Sequence, residues 1–316
     1  MSACNKANGA NINVAGKVAS NRVKRAGAGR YELKYEPSYY SSIAGVVAFR
    51  YGKKGSSDNY TSTVVTENCS NSGRIECSFV YCAAREIAMA GCIGILESDV
   101  VDNCHNAKDG GLTIKVSNGN FNGSSNAATS TTNRITIYIA GLICNVHSNC
   151  DVIKNCSNSG DLIYDEADSQ DIGVSGIIGF SGEYASLKLE SCYNSGTVKI
   201  GSSVRANNVY VAGILSNTGY CTSLSYPDCY NSGSVVVEAD VFQKSNVGGI
   251  FGTSAMSNPT PDMPKVSGVR NSGTVKFVGS SAALYMGHYS EKVMHLMDTV
   301  KSSFFHKITY FNLYTL

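Results

Sequence analysis

The chain has no tryptophan, only 5 prolines and few charges. Of its 316 residues, 16% are Asp, Glu, Lys or Arg, and the formal net charge is +2. Each scarcity excludes something. A near-neutral balance argues against a polyelectrolyte partner spread over the whole surface, so nucleic acid is an unlikely ligand class. Long apolar runs are also missing: even 135–146 is interrupted by Thr136, Gly141 and Asn145. A membrane helix needs roughly 20 apolar residues, so no membrane insertion is expected. The first nineteen residues are polar and rich in Gly and Asn, without the apolar stretch of a secretory signal. The compartment stays open: cell surface or extracellular if the chain belongs to a longer precursor, intracellular otherwise.

What the chain has in quantity is glycine, 32 residues, and repetition. Five near-copies of one phrase occur: Cys69-Ser-Asn71-Ser-Gly73, Cys156-Ser-Asn158-Ser-Gly160, Cys192-Tyr-Asn194-Ser-Gly196, Cys229-Tyr-Asn231-Ser-Gly233 and Val269-Arg-Asn271-Ser-Gly273. A degenerate copy starts at Cys104 with His105 and Asn106, and a frayed one spans Cys4 to Gly9. Between them lies a second phrase built around Gly45, Gly91, Gly141, Gly176, Gly213 and Gly249, each preceded by Ala, Ser or Gly and followed by an apolar residue or Cys. The Cys positions are 35, 52, 36 and 37 residues apart, so one module is about 36 residues, with insertions early in the chain. Self-similarity at this period means a solenoid or a propeller. A propeller blade needs four strands in about 40 to 50 residues and usually brings Trp and Asn-Gly hairpins. The missing Trp and the insertion-tolerant period favour the solenoid.

After each Asn-Ser-Gly corner the second and fourth residues are apolar: Ile75/Cys77, Leu162/Tyr164, Val198/Ile200, Val235/Val237 and Val275/Phe277. Period two predicts a strand with one buried face. The Ala-Gly phrase reads as a second strand, and the apolar stretch before most Cys positions (Val152-Ile153, Leu187 and Leu189) as a third. Three strands per module suit one coil of a parallel β-helix. The corner itself is expected to turn through the left-handed region that Asn tolerates and Gly prefers. Stacking coils every ~4.8 Å would place Asn71, Asn106, Asn158, Asn194, Asn231 and Asn271 in one self-satisfying amide column. Gly73, Gly160, Gly196, Gly233 and Gly273 would follow it. Cys69, Cys104, Cys156, Cys192 and Cys229 would line a neighbouring inward column of reduced thiols acting as small hydrophobes.

The phrases Val211-Ala-Gly-Ile-Leu-Ser and Ser191-Cys-Tyr-Asn-Ser-Gly-Thr-Val resemble GLUG-type repeats of bacterial surface proteins. Similar repeats lie in the N-terminal region of immunoglobulin-A-specific metallopeptidases and in filamentous-haemagglutinin-like adhesins. The resemblance covers roughly 43–278 and implies a right-handed parallel β-helix serving as an adhesin or stalk module. No His-Glu-x-x-His zinc helix is present, so peptidase chemistry is not carried over.

The expected organisation is all-β: a basic, Tyr-rich capping segment at 1–42, a β-solenoid of about six to seven coils at 43–279, and a short amphipathic helical cap at 280–316. Within that last part Val293, Leu296, Met297, Val300 and Phe304 share one helical face, and Ser290 and Glu291 suit a helix start. Chemistry is sparse. Cys144 and Cys150 flank His147 but lack the paired spacing of a zinc site, so no metal or cofactor is expected. The acidic residues Asp161, Asp165, Glu166, Asp168 and Asp171 could bind calcium or serve a glycan-active β-helix enzyme, but no column of acidic and basic residues aligned on successive coils shows, which favours a solvated insertion loop. Basic residues interleaved with tyrosines between Lys17 and Tyr40 could grip an anionic glycan or nucleic acid, but such a stretch is more often an exposed edge or capping strand. The sequons at Asn59, Asn68, Asn122 and Asn155 carry weight only on a secretory route. The sequence therefore reads as non-enzymatic: a structural or adhesive rod for a protein or glycan surface, with a glycan-active enzyme or self-assembly through the solenoid ends into a filament as alternatives.

Overall fold

A computed structural model describes residues 7–8, 12–18, 40–50, 65–82, 86–96, 100–116, 136–146, 150–165, 168–182, 186–218, 220–221, 223–253, 255–256 and 268–287. Every strand pairing is parallel, and chain-distant strands become neighbours at one-module intervals. The protein is an all-β parallel solenoid. Three sheets hold seven strands each and two hold five, with a separate two-stranded pair, Tyr220–Cys221 and Ala255–Met256. No helix occurs among the described residues, and so none is long and apolar enough to cross a membrane.

One turn shows the plan. Val152–Lys154 leads through Asn155 and Cys156 into Ser157–Asn158; after the Gly160 corner come Leu162–Asp165, Asp168–Ser175 and Ile178–Ser181. That is five strands per turn, where the periodicity predicted three. The asparagine corner is itself a two-residue strand, Ser157–Asn158. The Ala-Gly phrase is two strands, as at Thr136–Ala140 and Ile143–Val146, separated by a bend at Gly141 and Leu142. Four turns carry all five strands, beginning at Val65–Glu67, Val100–Asp102, Val152–Lys154 and Ser186–Glu190.

The left-handed residue also lies elsewhere than expected. Among the described residues, positive φ occurs at Asn68, Asn103, Asn155, Ser191, Asp228 and Gly268, each one residue before the repeat Cys or Val269. Asn, Asp and Gly tolerate this region best because a short polar side chain, or none, avoids the Cβ clash. The glycine of the Asn-Ser-Gly corner has ordinary φ and is required for a different reason, given below.

Residues 7–18, read from the sequence as part of a capping segment, contain two strands of the solenoid. Ala7–Asn8 pairs with Ser70–Asn71, and Ile12–Val18 pairs with Ile75–Cys82. At the other end Ser280–Gly287, assigned from the sequence to the cap, is a strand paired with Asp240–Gly248. The amphipathic segment 290–304 lies outside the described residues.

The interior is divided. One apolar column joins Leu162, Tyr164, Val198, Ile200, Val235 and Val237 to Ile137, Ile172, Val174, Val209 and Val211. A second joins Cys104, Cys156, Cys192 and Cys229 to Ile143, Ile178, Leu189 and Leu215. A third, smaller cluster forms behind the Ala-Gly bend from Ala88, Ala90, Ile95, Tyr138 and Cys144, where Tyr138 stacks on Phe180 with ring centroids 4.6 Å apart. The strands either side of this bend are therefore buried on both faces.

Candidate functional site: an amide spine between two glycine columns

The most specific chemistry in the molecule lies at the waist between the two large apolar columns. Asn71, Asn106, Asn158, Asn194 and Asn231 are fully buried, and each donates from Nδ2 to Oδ1 of the asparagine one turn on. The distances are 2.8 Å for Asn71 to Asn106 and for Asn106 to Asn158, and 2.7 Å for Asn158 to Asn194, Asn194 to Asn231 and Asn231 to Asn271. The same nitrogen also donates to the carbonyl of its own corner glycine, at 2.9 Å for Gly73, Gly160 and Gly233 and 3.0 Å for Gly196 and Gly273. Both N–H groups of each amide are used, which is the condition for burying a polar side chain at little cost. In the degenerate third copy Asn106 reaches Gly110 instead, at 2.7 Å. Two extra residues intervene, so the degenerate copy is recognised at Cys104 to Asn106 but its corner glycine is not, although it keeps its place. Within the frayed copy at Cys4 to Gly9, Asn8 is in register with Asn71, extending the column by one backbone position.

Glycine is required on both sides of the amides by proximity. A Cβ on Gly45 would lie 2.5 Å from Asn71 Oδ1, and one on Gly91 2.5 Å from the amide carbon of Asn106. A Cβ on Gly160 would lie 2.6 Å from the carbonyl oxygen of Gly110 and 2.7 Å from Asn106 Nδ2. Gly141, Gly176, Gly213 and Gly249 face Asn158, Asn194, Asn231 and Asn271 in the same way. Real Cβ atoms do not approach so closely, so the backbone can come this near only without a side chain.

The repeat cysteines stack as neighbours on successive turns. The residue after one Cys donates its backbone N–H to the Cys carbonyl one turn back, as in Ser157 to Cys104 (3.0 Å), Tyr193 to Cys156 (2.9 Å) and Tyr230 to Cys192 (2.9 Å). Each thiol points to the carbonyl two residues upstream, at 3.4 Å for Cys104, 3.0 Å for Cys156 and 3.5 Å for Cys192. That carbonyl immediately precedes the left-handed residue. The thiol is thus both a small hydrophobe and a weak donor at the kink. All nine cysteines with described side chains are buried. Burial and the hydrogen bonds to Cys104 and Cys192 push the Cys156 thiol well above its usual range, and burial pushes Cys77 up to about 12.

The other candidates are not brought together. Cys144 belongs to the cluster behind the bend, with its thiol on the Tyr138 carbonyl at 2.9 Å, while Cys150 lies in the thiol-lined column. His147 lies outside the described residues. Among the described residues no group of three or more His, Cys, Asp or Glu is placed to hold a metal ion. The acidic residues brace adjacent turns. Asp161 accepts from the Thr197 backbone N–H (2.7 Å), Asp165 from the Ser203 hydroxyl (2.8 Å) and Asp171 from the Asn208 amide (2.7 Å). Glu166 and residues 19–39 of the basic, Tyr-rich stretch lie outside the described residues. Asn68 and Asn155, two of the four sequon asparagines, are exposed at the left-handed corner.

Outside the spine a second, solvent-facing ladder runs along the asparagine corner. Tyr193 and Tyr230 stack with centroids 5.4 Å apart, and their hydroxyls meet those of Ser232 and Ser272. His105 bonds the Ser157 hydroxyl and the Asn103 side chain, each at 2.8 Å. Comparison with protein family models, with curated proteins and with solved structures returns no match.

Proposed function

We propose that the chain is a non-catalytic structural module. In this reading it is a right-handed β-helical rod of six to seven turns, ended by an amphipathic helical cap, that holds surface segments in place for attachment to a protein or glycan surface. The observation that carries the reading is the amide spine. It runs unbroken from Asn71 to Asn271, so the centre of every turn it crosses is committed to holding the next turn. Three of the acidic residues that a glycan-active enzyme would use instead tie one turn to another, which favours the structural reading. The resemblance to GLUG-type repeats points the same way. The longer segments between strands, 19–39, 51–64, 117–135 and 257–267, alternate with strands that pair in parallel from turn to turn, so segments of unequal length are attached to a constant support.

The test is attachment. Beads carrying the full chain are scored for binding to glycan panels and protein-coated surfaces, beside a variant with 117–135 shortened to a Gly-Ser linker. Binding by the full chain that falls in the shortened but folded variant is expected. A chain that binds nothing, or that depolymerises a glycan in the same panel, overturns the proposal.

A further inference from the structure

The final turn differs from those before it in a way that assigns its neighbour. In the long-strand sheet, Ala88, Tyr138 and Asn246 occupy one column with Tyr285. Ala88 and Tyr138 are 0% and 8% exposed beneath the strand that follows the Ala-Gly bend, Asn246 is 4% exposed, Tyr210 in the same column is half-buried, and Tyr285 is 58% exposed. The sheet that supplies this cover ends at Leu215–Thr218, with only an isolated bridge from Phe251 beyond it. On the inward face, Leu284 and Met286 are half-buried, while their column-mates Val209, Val211 and Val247 are almost wholly buried. The three large hydrophobic residues exposed among those described, Phe242, Val278 and Tyr285, all lie on the last two turns. Tyr285, Leu284 and Met286 thus present apolar surface where the chain passes into residues 288–316.

The register also says what does not continue the stack. Ala44, Ala90, Ala140, Ser175, Ala212, Gly248 and Gly287 form one backbone column. The next residue is glycine in the first six cases, Gly45 to Gly249, and His288 in the seventh. Each such glycine leaves room for the asparagine of the following turn. A further turn in register, including one from a second copy presenting Asn8, would need glycine at 288.

We infer that the C-terminal end is a terminating surface covered by the chain's own segment 290–304. Its apolar face, Val293, Leu296, Met297, Val300 and Phe304, would seat on Leu284, Met286 and Tyr285. This inference rests on the proposed rod and cap, and specifies which surface is covered and why a second copy does not cover it. A segment attached directly after the last strand meets the surface at high effective concentration, whereas a second copy must meet it from solution. An uncovered edge of this kind is otherwise an association site.

The experiment places a benzoylphenylalanine photo-cross-linker at 285 in the full chain and measures amide exchange over Ser280–Gly287. The expected product is an intrachain link from 285 into 290–304, lost in Leu296→Asp/Val300→Asp, with exchange over Ser280–Gly287 in that variant about tenfold faster or more. Interchain links into residues 7–18 would show a second copy on this surface and overturn the inference. So would exchange unchanged by the double substitution. Neither result touches the attachment assay, so the rod's function and its ending fail separately.

Discussion

The waist of each turn and the apolar columns it separates obey different rules. At the waist the same residues recur from Asn71 to Asn271, and so do the glycines facing them. In the apolar column on the far side from the thiols only the class recurs: one inward position holds Ile75, Leu112, Leu162, Val198, Val235 and Val275 in turn. The difference is that between a directional and a non-directional interaction. A hydrogen-bonded amide held against bare backbone has one acceptable geometry, whereas an apolar column needs only its volume filled. Identity is therefore fixed where direction matters and free where volume matters.

The comparison can be broken most severely at a waist glycine. Gly213→Ala would drive a Cβ into the Gly249 carbonyl and the Asn231 amide, neither of which can swing aside. A loss of about 4 kcal/mol or more is expected, read as absent soluble protein or a collapsed urea midpoint. Gly201→Ala is the control: the atoms nearest its Cβ all belong to the Asp165 side chain, which can rotate away, so the cost should be well below that of Gly213→Ala, near the ~1 kcal/mol of a lost hydrogen bond.

Next in size is Asn194→Val. It strands the donor of Asn158, the acceptor of Asn231 and the Gly196 carbonyl, at about 1–3 kcal/mol for each buried group. A thermal midpoint equal to wild type would show that the spine contributes no stability. The columns should be more forgiving: Val198→Ala is expected to cost about 2 kcal/mol and Cys192→Ala about 1, since less volume is lost. Equal or reversed costs in urea titrations would mean that the thiol column is more than packing.

The smallest effect is a pH dependence. The Cys77 thiol stands at about 12 when folded, because it is buried, against 9.0 for a free thiol. Its contribution is complete below pH 9 and is lost as pH rises towards 12, because the unfolded chain releases the proton first. Wild type should therefore lose stability between pH 9 and 11 more steeply than Cys77→Ala. Parallel slopes would refute the assignment.

What could be read in the sequence follows the same division. The period, the parallel stacking and the stacked Asn and Cys positions are legible because the same residues recur at one spacing. The bend at Gly141-Leu142 is not legible, because both flanking strands are buried on both faces and lose the alternation that marks a half-buried strand. Gly110 was hidden by a two-residue insertion. The left-handed position is recorded as Asn68, Asn103, Asn155, Ser191, Asp228 and Gly268, a change of identity that conceals a constant backbone conformation.

The spine has one more consequence. Backbone dipoles nearly cancel in a sheet, since successive peptide groups point opposite ways. The asparagine amides do not alternate: from Asn71 to Asn231 one Nδ2–H of each is directed toward the higher-numbered turn, and the Oδ1 that receives it faces the lower. Their moments add along the axis, as peptide moments do in a helix. The protein thus carries a side-chain macrodipole, positive toward its last turn and negative toward its first. Its two ends are electrically as well as structurally distinguishable, so an external charge would feel which way the rod is facing.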